Sequence, residues 1–72
     1  MTLEDAVKAI ASYSEYDEEK GCTVTLNVEE FIAEADDYFI FLCSFVENGS
    51  RTDETGEFGV FKSEGYVLPV PV

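Results

Sequence analysis

Nine residues near the middle of the chain, Tyr38-Phe39-Ile40-Phe41-Leu42-Cys43-Ser44-Phe45-Val46, restrict the fold more than any others. The run is apolar at both parities and rich in aromatic side chains, which suits a strand at the centre of a sheet. A membrane-spanning helix needs ~20 such residues, so the run is expected in a soluble core. A chain of 72 residues has room for one core only, because folding at this size hides roughly 60% of the surface. The 46% hydrophobic and 14% aromatic content can supply that core. Disordered sequences lack such apolar surface. A single domain over residues 1–72 is expected.

Period and punctuation place the other elements. Leu3, Val7, Ile10 and Ala11 share one helical face, and the spacing predicts a helix from Thr2 to about Ser14. Thr2 caps it, Asp5 stands in the capping-box position, and Glu4 and Asp5 suit the positive end of the macrodipole. Glu15, Asp17, Glu18 and Glu19 are unfavourable at a helix C-terminus. Fraying is therefore expected from Ser14 to Lys20, with Gly21 as the stop and Tyr13 and Tyr16 closing the helix onto a sheet.

Cys22, Val24, Leu26 and Val28 alternate with Thr23, Thr25 and Asn27, which predicts a strand. Residues 27–37 fit two readings. One is a helix capped by Asn27, with Glu30 in the capping box and Val28, Phe31, Ile32 and Ala35 on one face. The other, preferred, is a strand with a bulge near Glu29-Glu30 and a turn at Asp36-Asp37. Glu47-Asn48-Gly49-Ser50 is a turn, Arg51 to Gly56 a polar mobile loop, and Glu57 to Lys62 a strand. Ser63-Glu64-Gly65 turns the chain into Tyr66–Val72, where Pro69 and Pro71 require an edge strand or an extended tail. The expected class is α+β: an N-terminal helix packed on a small antiparallel sheet of three to four strands. The helix covers one face of the central strand. Phenylalanine is expected on the uncovered face too, and uncovered aromatic surface marks an interface.

Sixteen acidic residues against four basic ones give a net charge of −12. Direct binding to nucleic acid or to an anionic bilayer needs a cationic face, so both are disfavoured. The start, Met1-Thr2-Leu3-Glu4-Asp5, has neither the basic nor the apolar part of a secretory leader. A cytoplasmic location is expected, with Cys22 and Cys43 as free buried thiols. Asn48-Gly49-Ser50 then reads as a turn, not as a glycosylation sequon.

Neither catalysis nor a cofactor is expected. A chain this short struggles to enclose a cleft in which one carboxyl is tuned against another. His is absent, and two cysteines alone fall short of a zinc site. Glu29-Glu30, Asp36-Asp37 and Asp53-Glu54 lack the alternating oxygens around a glycine that calcium loops use. The cysteines have no cation nearby to activate them. Gly56-Glu57-Phe58-Gly59 precedes a strand, whereas a phosphate loop opens a helix.

The charge itself is the remaining signal. It exceeds what solubility needs, and self-repulsion costs stability. Clustered carboxylates steer association with basic surfaces, so the expected partner is a basic protein: a toxin, a nuclease or another nucleic-acid-binding protein. Three acidic clusters stand out: Glu15, Asp17, Glu18, Glu19; then Glu29, Glu30, Glu34, Asp36, Asp37; then Asp53, Glu54, Glu57. The second adjoins the aromatic strand, and rings ringed by carboxylates make an interface core with a charged rim. Glu30, Glu34, Asp36, Asp37 and Tyr38 are the candidate partner-binding residues. Two other readings stay open. One is a phage anti-defence protein whose carboxylates imitate phosphates. The other is a structural module that buries its sheet face in a homodimer, so the chain is read as a monomer or a homodimer.

The order of elements resembles the immunity protein 35 family of bacterial polymorphic-toxin systems. The matching pieces are Leu3 to Ile10, Val24 to Val28, Asp37-Tyr38-Phe39-Ile40-Phe41 and Phe61-Lys62-Ser63-Glu64-Gly65. Asp37-Tyr38 stands where that family carries Gly-Trp, and Gly56-Glu57-Phe58-Gly59 where it carries Gly-Asn-x-Pro. The resemblance implies neutralisation of a toxin by binding.

Overall fold

The apolar run becomes the middle strand of one antiparallel meander. A computed structural model describes residues 1–70. It contains a helix α1 (Leu3–Ala11) and strands β1 (Ser14–Asp17), β2 (Cys22–Glu34), β3 (Tyr38–Glu47), β4 (Ser50–Phe61) and β5 (Val67–Pro69). The strands lie side by side in chain order as a five-stranded sheet. The class is α+β as expected, but the sheet has five strands where three to four were expected. Two acidic segments read as irregular are strand: one adds β1 and the other lengthens β4.

The first is β1. The helix starts as predicted: Thr2 Oγ1 accepts from the Asp5 amide and the Asp5 carboxylate accepts from the Thr2 amide, both at 3.2 Å. It stops earlier than Ser14, at a cap on Ser12. Tyr13 then turns its ring toward Phe58, 6.1 Å between centroids, and the chain continues as β1, with Ser14 opposite Thr25 and Asp17 opposite Cys22. The acids do not fray a helix, because they belong to a strand and its turn. The Asp17 carboxylate accepts from the amides of Glu19 and Lys20. Gly21 ends that turn, not the helix, at φ +66°, a conformation that costs glycine least. Tyr16 is 62% exposed and closes nothing onto the sheet.

The second is the start of β4. Arg51 to Gly56 is strand, not mobile loop. Asn48 at φ 50° and Gly49 at φ 84° make a tight hairpin turn, and Ser50 and Arg51 pair with Glu47 and Val46. An irregularity between Ser44 and Val46 absorbs the extra β4 residues. Thr52 Oγ1 pins it by donating to the Phe45 carbonyl at 2.8 Å.

Residues 27–34 are strand, so the strand reading of the ambiguous stretch holds. The register slips between Val28 and Glu30, as predicted, and again between Phe31 and Ala33. Each bulge reverses the facing of the residues beyond it. Phe31 returns to the helix side, its ring 5.6 Å from Phe41. β5 is an edge strand, where Pro69 needs no ladder donor. Of the predicted tail, Pro71 and Val72 lie outside the described residues.

The sheet curls around α1, which touches both β2 and β4. Ala6 and Ile10 of the helix, with Leu26, Phe39, Phe41, Cys43, Phe58 and Val60 of the sheet, form the core. Phe39, Phe41 and Phe45 all share this concave face. The expectation of phenylalanine on the outer face of β3 is thus corrected: that face carries Tyr38, Ile40, Leu42, Ser44 and Val46, because an alternating strand sends equal parities one way. No helix among the described residues is long and apolar enough to cross a membrane.

Cys22 and Cys43 are free and buried. Burial, helped by the Glu29 charge, pushes the Cys43 thiol up to about 11. Burial also raises Cys22. Since the thiolate is the reactive form, neither cysteine should alkylate with iodoacetamide in the native protein, and both should label once it is unfolded. Mass spectrometry after a timed pulse checks this; a singly labelled native population would contradict the packing.

Candidate functional site

All four basic side chains are engaged within the molecule. Lys8 pairs with Glu4 at 3.7 Å, Lys20 with Glu47 at 2.8 Å, Lys62 with Glu34 at 2.6 Å, and Arg51 with Glu29. The field outside the protein is left to the other carboxylates.

Those carboxylates converge where the helix ends. Because α1 stops at Ala11 and the chain drops into β1, the helix roofs only the upper part of the concave face. Upper here means the end of the β2–β3 and β4–β5 turns. Near the β1–β2 turn the sheet is unroofed, and a concavity of about 470 Å³ opens. Val24 and Phe45 are its half-buried apolar floor. Glu15, Asp17, Glu18 and Glu19 line it from β1 and its turn, Glu47 from β3 and Glu54 from β4. Six carboxylates thus face one ammonium, that of Lys20. Its hydrogen bond to Glu47 raises the Lys20 pKa most, followed by the charges of Glu47, Glu54 and Asp17.

Three of the six acids have structural duties. Glu47 holds Lys20, Asp17 holds its turn, and Glu15 accepts from the Tyr13 hydroxyl at 2.7 Å. That hydrogen bond, with some burial, pushes the Tyr13 phenol up to about 12. Glu18, Glu19 and Glu54 are exposed and have no side-chain partner among the described residues. Only Glu54 among them acts on a neighbour, through its charge on Lys20.

The five residues grouped by the sequence divide four to one between the faces of the sheet. Glu30 lies on the outer face opposite Leu42. Tyr38 shares that face, half-buried and edge-on to Phe61 at 5.7 Å. Asp36 and Asp37 form the turn at its upper end, where the Asp37 carbonyl accepts from the Lys62 amide at 2.8 Å. Glu34 is on the other side: the second bulge pairs it with Phe39 of the concave face, and it holds Lys62, whose Nζ stands 4.8 Å from the Phe39 ring centre. The structure therefore brings Glu30, Asp36, Asp37 and Tyr38 to one end of the outer face and separates Glu34 from them. It joins instead the first acidic cluster to Glu54 of the third, across the concavity. Only the pairing of β4 with β3 makes that junction, and the loop reading of Arg51–Gly56 hid it.

Glu29 has a closed environment. It accepts from Ser44 Oγ and Asn27 Nδ2, each at 2.7 Å, and pairs with Arg51. The Ser44 and Asn27 hydrogen bonds, then the Arg51 charge, hold its carboxyl below the usual range. This network satisfies the buried Ser44 hydroxyl and offers nothing to a ligand. Among the described residues no three acidic or cysteine side chains converge as a metal site. The concavity is open and anionic, with an apolar floor, a form suited to recognising cationic groups by contact.

No family model matches the chain, and no curated protein or solved structure matches it.

Proposed function

We propose that this is a small acidic binding protein that acts by occluding a basic site on another protein, in the manner of an immunity protein against a toxin or nuclease. The observation that carries the reading is the pairing of all three lysines and the arginine within the molecule while six carboxylates surround one apolar-floored concavity. An anionic rim steers and orients a cationic partner, and the floor under Phe45 and Val24 supplies the desolvated contact that holds it. A phosphate imitator would instead array its acids evenly across a face, without an apolar centre. The resemblance of element order to the immunity protein 35 family points the same way. A cytoplasmic site of action fits two buried thiols kept reduced.

Affinity capture on the immobilised protein, at low and at high salt, tests the proposal. Basic proteins should be retained at low ionic strength and released as salt screens the rim. A retained nuclease or toxin should lose activity when the purified protein is added in equal amount. Recovery of no basic protein at either salt, or full activity of every captured enzyme, would overturn it.

A further inference from the structure

The outer face of the sheet carries a second surface that the concavity does not explain. Tyr38, Ile40 and Leu42 of β3 lie beside Phe61 of β4 and Leu68 of β5, and together with Val70 they make a continuous apolar patch. At its centre is Gly59, whose cross-strand neighbours are Ile40 and Leu68. A glycine inside a strand weakens it unless something must approach closely. Here the missing side chain leaves a groove of about 320 Å³ between Tyr38 and Val70. Leu68, on its wall, is 50% exposed.

The surroundings say what fits. Leu42 is flanked on its own rung by Glu30 on one side and Glu57 on the other. Asp36 and Asp37 stand at the upper end. Among the described residues no cation on this face is free: Arg51, on its lower half, is held by Glu29. Two copies placed face to face would oppose these carboxylates, which disfavours a second copy of the chain. Strand addition at the nearest edge is blocked by Pro69. We propose that this groove seats the apolar side chain of a lysine- or arginine-flanked amphipathic helix from a partner protein, with Gly59 as the socket floor. The occupant has the cationic chemistry of the function proposed above, but the site lies on the opposite face of the sheet and stands without the concavity.

The test uses the purified protein and a synthetic amphipathic helical peptide with one leucine stripe flanked by lysines. Methyl and amide NMR shifts should move at Ile40, Leu42, Gly59 and Leu68. Gly59→Val fills the socket: a Cβ there meets Tyr38 and Val70 at an ordinary 3.5 Å, and a β-branched residue suits a strand. The variant should stay folded by circular dichroism and bind the peptide roughly tenfold more weakly, as expected of a filled anchor pocket. A peptide with glutamates in place of the lysines should not bind. Equal affinity for Gly59→Val and the parent, shifts confined to the concavity around Val24, or sedimentation as a dimer without peptide binding would each overturn the proposal.

Discussion

Phe41→Ala is expected to bring the protein to the edge of unfolding. Phe41 is 1% exposed and sits on β3 between Phe31 of β2 and Phe58 of β4. Ala6 and Ile10 of the helix belong to the same buried cluster. Removing a buried phenylalanine ring costs about 3–5 kcal/mol, lost transfer plus the cavity left behind. A domain of this length is stable by only about 4–11 kcal/mol in all. The single substitution therefore removes about a quarter of the total or more, and thermal melting by circular dichroism should shift down by more than about 12 °C. Phe61→Ala is the matched control, the same ring removed from the half-buried outer face, and it should cost well under half as much. Similar losses at the two positions would contradict the assignment of the core to the concave face.

The halves of this sheet differ in how much of them the sequence disclosed, for reasons visible in single residues. Thr2 and Asp5 announce the helix because a capping box is local: both of its hydrogen bonds span three residues. Cys22 to Val28 announces a strand because its period is two. The bulge at Glu29 was legible as well, since only an extra residue keeps Phe31 on the apolar side. Arg51 to Gly56 was not. It has no apolar alternation, and what makes it a strand is the partner β3 beside it, a tertiary cause that β propensity does not contain. Ser14 to Asp17 failed in the same way, its acids read as hostile to a helix when they line a strand and a turn. The spatial grouping of the acids was no more legible. Acids close in sequence were grouped, yet Glu30 and Glu34 leave the sheet on opposite faces. Glu19 and Glu54, far apart along the chain, border one concavity.

That convergence predicts two effects of opposite sign from one variant. Glu18→Lys, Glu19→Lys and Glu54→Lys are combined in a single chain, leaving Asp17, Glu15 and Glu47 to hold the turn, Tyr13 and Lys20. None of the three replaced side chains makes a hydrogen bond or an ion pair among the described residues, and the one attraction lost is that of Glu54 for the Lys20 ammonium. They share one rim with three further acids in a chain of net charge −12, so their reversal lowers the overall self-repulsion. The variant should melt no lower than the parent, and higher at low salt, where screening is weakest. Association with the basic partner should fall by about 10²-fold at low ionic strength, chiefly through the on-rate, because steering fields of this kind raise on-rates by 10–10³. The gap should close as salt is added. Stopped-flow association and thermal melting, each over a salt series, read the two effects separately. A fold held by these acids would lose stability and affinity together. Higher stability with lower affinity is the signature of charge kept for a partner. An unchanged on-rate would remove the concavity from the function altogether.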